Sequence, residues 1–298
     1  HVRKYCKIRF TLKMNIWEHI KPIMVLFSNN LAISIYVNSD IMMLGWMIGD
    51  YYTGLYSVSV KIYSIIKQLL VALYYVMIAR LSYYYAQKNL DLFKTLLNNA
   101  INGIIFLTVP ATCGLMCVSR EVILIISGKS YVDASYSLQI LSVALLFAML
   151  GGVFSNCVNL PLRREKNNLI ATSIAAIINI GLNIVLIPIF HQNAAAFTTL
   201  ISEFLVFIIL LYCTRDHFDF FYKHDILLNL IKSFVSVIPI IFLFYIFHYV
   251  IIVNDILYLF IELIFGGGSY IGINMLLKNQ CVYHFKNNIR KKIKYFRM

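Results

Sequence analysis

Charge is scarce in this chain. Only 13% of its 298 residues are Asp, Glu, Lys or Arg, and acidic groups are the scarcer kind, 13 against 26 basic. With 60% hydrophobic residues, that excludes an ordinary soluble domain. Cysteines number six and are scattered, with no CxxC spacing; Cys113 and Cys117 lie one helical turn apart in an apolar run and read as buried apolar residues. No metal site, disulfide framework or cofactor is therefore expected. Ten-residue alternations of apolar and polar residues are missing too, which excludes a transmembrane barrel. The basic stretch from Arg3 to Lys13 lacks the apolar core of a signal peptide before Ile20, and the first residue is His1, so the chain reads as starting in a cytoplasmic loop of something longer.

What is present is a series of apolar runs close to the roughly 20 residues that cross a bilayer. A backbone at that depth must satisfy its own hydrogen bonds, so the runs are helices. Eight spans are predicted: one from Ile20 to a turn at Gly49–Gly54, then 54–83, 101–118, 138–160, 169–187, 194–212, 230–252 and 257–277. Gln87 to Leu96 reads as an amphipathic linker, Pro110 as a kink, and Glu121 to Tyr136 as an outer-surface segment. Trp17 and Trp46, about 43 Å apart along a helix, fit the two aromatic belts. If the N-terminus is cytoplasmic, 22 of the 26 lysines and arginines fall in inner connections or at the inner ends of spans. Only Arg120 and Lys129 fall outside, and Lys61 and Lys67 lie within a span. That asymmetry orients the chain and accounts for the net charge of +13 without nucleic acid.

The first two spans form a hairpin rich in polar residues. Asn29, Tyr36 and Asp40 share one side of the first helix. On the second, Ser57, Lys61, Ser64 and Gln68 make one stripe and Tyr56, Tyr63, Lys67 and Tyr74 another. An intramembrane charge costs roughly 2.5 to 3.5 kcal/mol on insertion scales, so such residues face a partner or a watery cavity. Lys61, Lys67, Tyr63 and Gln68 are the candidate contacts for an anionic substrate; the lysines could instead pair with carboxylates. Asp40 lies nine residues before Gly49 and Lys61 seven after Gly54, which puts both roughly 10 to 14 Å below the outer turn. They are expected to pair, with Asp40 alternatively a coupling-ion site. Glu203, mid-span, is a proton or cation-coupling candidate or a packing residue. Asn179 and Asn183, one turn apart, read as glue between helices. Gly266-Gly267-Gly268 offers close packing or a hinge; no strand or GK[ST] accompanies it, so it is not a phosphate loop.

Two stretches carry a family resemblance. Asp40 to Gly45 followed by Gly54 to Ile62 resembles the seventh-to-eighth helix region of polysaccharide repeat-unit flippases. Asn179 to Pro188, continuing through Ala194-Ala195-Ala196 to Thr199 and Glu203, resembles their eleventh-to-twelfth. Gly128 to Ala134 is a shorter third match. Where such proteins usually carry glycines after the proline, this chain has His191 and Ala194. The resemblance implies the multidrug/oligosaccharidyl-lipid/polysaccharide exporter fold, two six-helix lobes around a cavity. Residues 20–213 would be one such lobe. Residues 1–19 would be a basic cytoplasmic segment, 214–229 a cytoplasmic loop, 230–277 an added helix pair and 278–298 a basic tail on anionic lipid. It further implies an undecaprenyl-pyrophosphate-linked O-antigen or capsule repeat unit as substrate, the bacterial cytoplasmic (inner) membrane as location, and missing N-terminal helices of the same protein as partner. A cation-coupled drug exporter of the same fold is the alternative transporter. A membrane polymerase or glycosyltransferase would need an aqueous loop and a carboxylate pair, and neither is seen; the chain reads as a transporter, not an enzyme.

Overall fold

The computed structural model describes residues 16–250, 255–279 and 281. The basic segment 1–15, most of the tail 278–298, and the side chains of Trp17 and Tyr36 lie outside the described residues. Eight α-helices follow in order: α1 (Ile16–Met47), α2 (Asp50–Ala86), α3 (Leu90–Cys117), α4 (Ser119–Ser127), α5 (Ala134–Gly152), α6 (Glu165–Cys213), α7 (Lys223–Val250) and α8 (Asp255–Leu276). Among the described residues, six helical segments are long and apolar enough to cross a membrane. One of these is α6, and it counts twice because it reverses direction: Thr198 Oγ1 donates to Asn183 Oδ1 at 2.6 Å, and Ser202 Oγ approaches Ala175 O at 3.5 Å. Residues 15 and 27 apart along one straight helix could never meet. The reversal is at His191, whose φ of 54° and ψ of −132° break the helix three residues after Pro188. The eight spans expected from the sequence are α1, α2, α3, α5, the two arms of α6, α7 and α8.

The connections are tighter than the sequence suggests. Gly49 ends α1 with its N–H on Leu44 O at 3.1 Å and a φ of 98° that only glycine adopts freely. Asp50 then opens α2, so residues 50–54 are helix, not turn. The expected linker 87–96 is mostly the start of α3: only Gln87 to Asn89 turn the chain, and Asn89 caps α3 by accepting from Leu92 N at 3.2 Å. The fourth span runs beyond α5 through a π-helical stretch, Val153–Asn159, before Pro161.

Along α5, Leu138, Leu141, Leu145 and Met149 are fully buried. Between helices in lipid, close van der Waals packing replaces the hydrophobic effect as the attractive force, and small residues let backbones approach. Gly152 shows this: a Cβ there would lie 2.7 Å from the hydroxyl of Tyr74, which donates to Met149 O. Gly151 packs against the second arm of α6, with the backbone of Phe207 3.5 Å from where its Cβ would be.

The pair α7–α8 is fastened to α3 at two heights. Tyr270 donates to Phe106 O at 2.7 Å. At the other end Asn98 donates to Phe220 O and accepts from Tyr222 N, both at 2.7 Å. This clamps the 3-10 turn Arg215–Phe220 onto α3, and α7 begins already at Lys223, inside the stretch expected to be loop.

Candidate functional site

Helical spacing and the reversal of α6 gather polar groups from three helices. Asn179 and Asn183 are one turn apart on its first arm, and Thr199 and Glu203 one turn apart on its second. Asp40 is 1% exposed and faces them. Its Oδ1 accepts from Asn183 Nδ2 at 2.6 Å; its Oδ2 accepts from Tyr56 OH and Thr199 Oγ1, both at 2.8 Å. Asn183 Nδ2 also reaches Asn179 Oδ1 at 3.2 Å. Farther from the outer turn on the same face of α1, Asn29 accepts from Thr172 Oγ1 at 2.9 Å. None of the three donors on Asp40 is cationic. The surrounding acceptors are all oxygens, a hard set suited to a proton or an alkali cation. Among the described residues no three His, Cys, Asp or Glu side chains come together as a metal cluster would need.

The expected Asp40–Lys61 pair is not formed. Asp40 and Lys61 lie at similar distances from the α1–α2 link, but Lys61 is turned to another side of α2. At about 100° per residue, Lys61 lies about 140° around α2 from Tyr56 and about 160° from Tyr63, the residues that face α1 and α6. Lys61 is accordingly exposed. The ion pair instead joins Lys67 to Glu203, Nζ to Oε1 at 2.6 Å. Lys67 is only about 20° from Tyr56 in phase, and its ammonium stands 5.4 Å from the centre of the Tyr63 ring. Its side chain keeps 29% exposure while that of Glu203 keeps 8%.

A pocket of about 210 Å³ connects the two clusters, lined by Asp40, Tyr63, Ser64, Lys67, Gln68 and Glu203 among others. Of the sequence candidates, Asp40, Lys67, Tyr63, Gln68 and Glu203 thus line one space. Asn179 and Asn183 stand behind it, and Lys61 faces elsewhere. In the sequence Tyr56 stands out only as part of an aromatic stripe and Thr199 only as part of a family motif, and neither they nor Thr198 are marked as partners of Asp40. Pivoting the two arms about His191 would have revealed the threonines, since 183 and 199 lie eight residues on either side.

A helical membrane bundle with an ion pair and a buried carboxylate in a pocket between its spans has the architecture of a transporter. The sequence profile of the lipid II flippase MurJ matches residues 32–266, and the chain belongs to that family. It is therefore a multi-pass protein of the bacterial inner membrane and a member of a transporter family, not an enzyme family. A solved structure of lipid II flippase MurJ in an inward closed conformation superposes with a TM-score of 0.72 at 18% identity, covering 94% of this chain. At that identity the likeness is one of fold. The chain spans 59% of the length of that flippase. No curated protein matches it. The superfamily expected from the helix-pair motifs agrees with this family; the narrower repeat-unit assignment is a separate matter.

Proposed function

We propose that this chain is the C-terminal part of a flippase that carries a lipid-pyrophosphate-linked saccharide across the cytoplasmic membrane. The observation that carries the reading is the pocket shared by Asp40 and the Lys67–Glu203 pair. A pyrophosphate entering there competes with Glu203 for Lys67, and Tyr63 and Gln68 stand beside the contested ammonium. Release of Glu203 leaves a carboxylate free to take a proton or cation, and Asp40 is the second such site. Substrate and coupling ion are thereby linked through one lysine. Lys61 reaches substrate only from the opposite face of α2, so it acts as an independent cation toward a second lobe, which the missing N-terminal helices supply.

Family membership favours lipid II as cargo. An O-antigen or capsule repeat unit shares the undecaprenyl-pyrophosphate carrier, and the 179–203 motif was read that way from sequence. The two are separated by complementation of a strain depleted of its lipid II flippase against one lacking its repeat-unit flippase. The chain is supplied with and without an upstream lobe, and precursor at the outer face is measured by its accessibility to an externally added hydrolase. Lys67→Ala should lower export at least about tenfold, and Lys67→Arg should keep part of it. Normal export by Lys67→Ala refutes the pocket's role, and full export by the chain alone refutes the one-lobe reading.

A further inference from the structure

Between the described helices lies a second, partly open cavity of about 440 Å³ that shares no lining residue with the first. Its walls are apolar: Ile66 of α2, Leu115 of α3, Val122 of α4, Ile240 of α7. Its space comes from glycine. Gly114, Gly266 and Gly267 all line it, and a Cβ on Gly114 or Gly267 would meet nothing within 4 Å.

Into this cavity projects one ionisable group. Glu262 is 4% exposed, and neither of its carboxylate oxygens has a hydrogen-bond partner among the described residues. No Lys, Arg or His stands among the lining residues. Glu121, next to the lining Val122, is also 4% exposed and has an unpartnered Oε2, while Arg120 points to the exterior. No cation among the described lining residues offsets a charge on Glu262. A carboxylate buried without a partner is costly, and a ligand that brings a cation to it removes that cost.

We propose that this cavity is a binding site for a hydrophobic monoamine, whose apolar body fills the glycine-made space and whose ammonium sits on Glu262. The volume falls within the roughly 300 to 1,000 Å³ of small-molecule sites. An anionic amphiphile would be repelled by Glu262, and a neutral chain would leave it unpartnered. The site meets α2 at Ile66, about 100° around the helix from Lys67, and shares no lining residue with the first pocket, so its ligand is distinct from the pyrophosphate group of the cargo.

The test is native mass spectrometry of the purified full chain titrated with dodecylamine, dodecanol and dodecanoate, which share one chain length. The amine should bind about tenfold or more tightly than the alcohol, and the carboxylate more weakly than either. Glu262→Gln should abolish the preference for the amine while leaving the alcohol unchanged. Gly267→Leu should block both, and it decides the matter if Glu262→Gln fails to fold. Equal binding of amine and alcohol, an amine preference that survives Glu262→Gln, or undiminished amine binding by Gly267→Leu overturns the proposal.

Discussion

Asp40 is held by three uncharged donors, and that arrangement separates two roles a buried carboxylate can have. If it only cements helices, an amide of the same shape serves nearly as well, because Tyr56 and Thr199 hydroxyls can accept as well as donate. If it holds a coupling cation, the amide folds but loses the ion. Asp40→Asn should therefore keep its melting temperature within a few degrees in choline chloride, yet lose the stabilisation that wild type gains when sodium chloride replaces it at equal ionic strength. Equal salt response in both proteins would assign Asp40 to packing alone. Tyr56→Phe removes one hydrogen bond to the carboxylate and should cost about 1 kcal/mol, near the intramembrane value. The same residues show how far sequence reaches: Asp40, Lys67 and Glu203 stood out because charge in an apolar run is conspicuous. Their partners did not, since a threonine or tyrosine in a helix carries no such contrast.

At the scale of the element, α6 is the informative one. The usual glycine after the proline is replaced by His191, and the backbone shows why glycine suits the position: a φ of 54° with a ψ of −132° is a conformation that a side chain disfavours. His191 is kept there beside Tyr52, with ring centroids 4.3 Å apart. His191→Gly should raise stability by about 1 kcal/mol, read as a higher melting temperature in detergent; a lower one would mean that the ring contact outweighs the strain. The reversal itself was legible from Pro188 and the small residues that follow. Less legible were the π-helical end of α5 and the two short turns. Such local geometry is set by what packs around it, here the Tyr74 ring against Gly152 and the glycine cap after α1, and apolar periodicity is blind to both.

Across the whole molecule, the six-helix bundle and the α7–α8 pair meet at the Arg215–Phe220 turn, where His217 stacks on Phe220 with ring centroids 5.0 Å apart. Burial, and then the positive charge of Arg164, lowers the His217 pKa below the usual 6.5, with Asp216 acting against them. A histidine whose pKa is lower when folded is protonated more readily when unfolded, so the unfolded state binds more protons. The junction's stability is then full above about pH 6.5 and falls as the pH drops through and below it. Hydrogen exchange of residues 214–222 should be faster at pH 5 than at pH 7.5 after correction for intrinsic rates, and His217→Phe should remove that difference. A wild-type profile that is flat with pH would refute it. The eight-span order was legible at this scale, because lysine and arginine placement and apolar run lengths are additive signals along the chain. The rotation of each helix about its axis was not, and the Asp40–Lys61 expectation failed on it.

The two-residue link at Gly49 also has a mechanical meaning. It makes α1 and α2 a pair of tongs joined at one end, because so short a link transmits a tilt of either arm to the other. Asp40 lies nine residues from the joint, about 13 Å, and Lys67 eighteen, about 27 Å. Any small angular opening at the joint is therefore read at two radii. The Thr199–Asp40 hydrogen bond holds the second arm of α6 to α1. A separation of about 0.5 Å at the depth of Asp40 thus becomes about 1 Å at Lys67, enough to turn the 2.6 Å contact with Glu203 into one that no longer counts as a hydrogen bond.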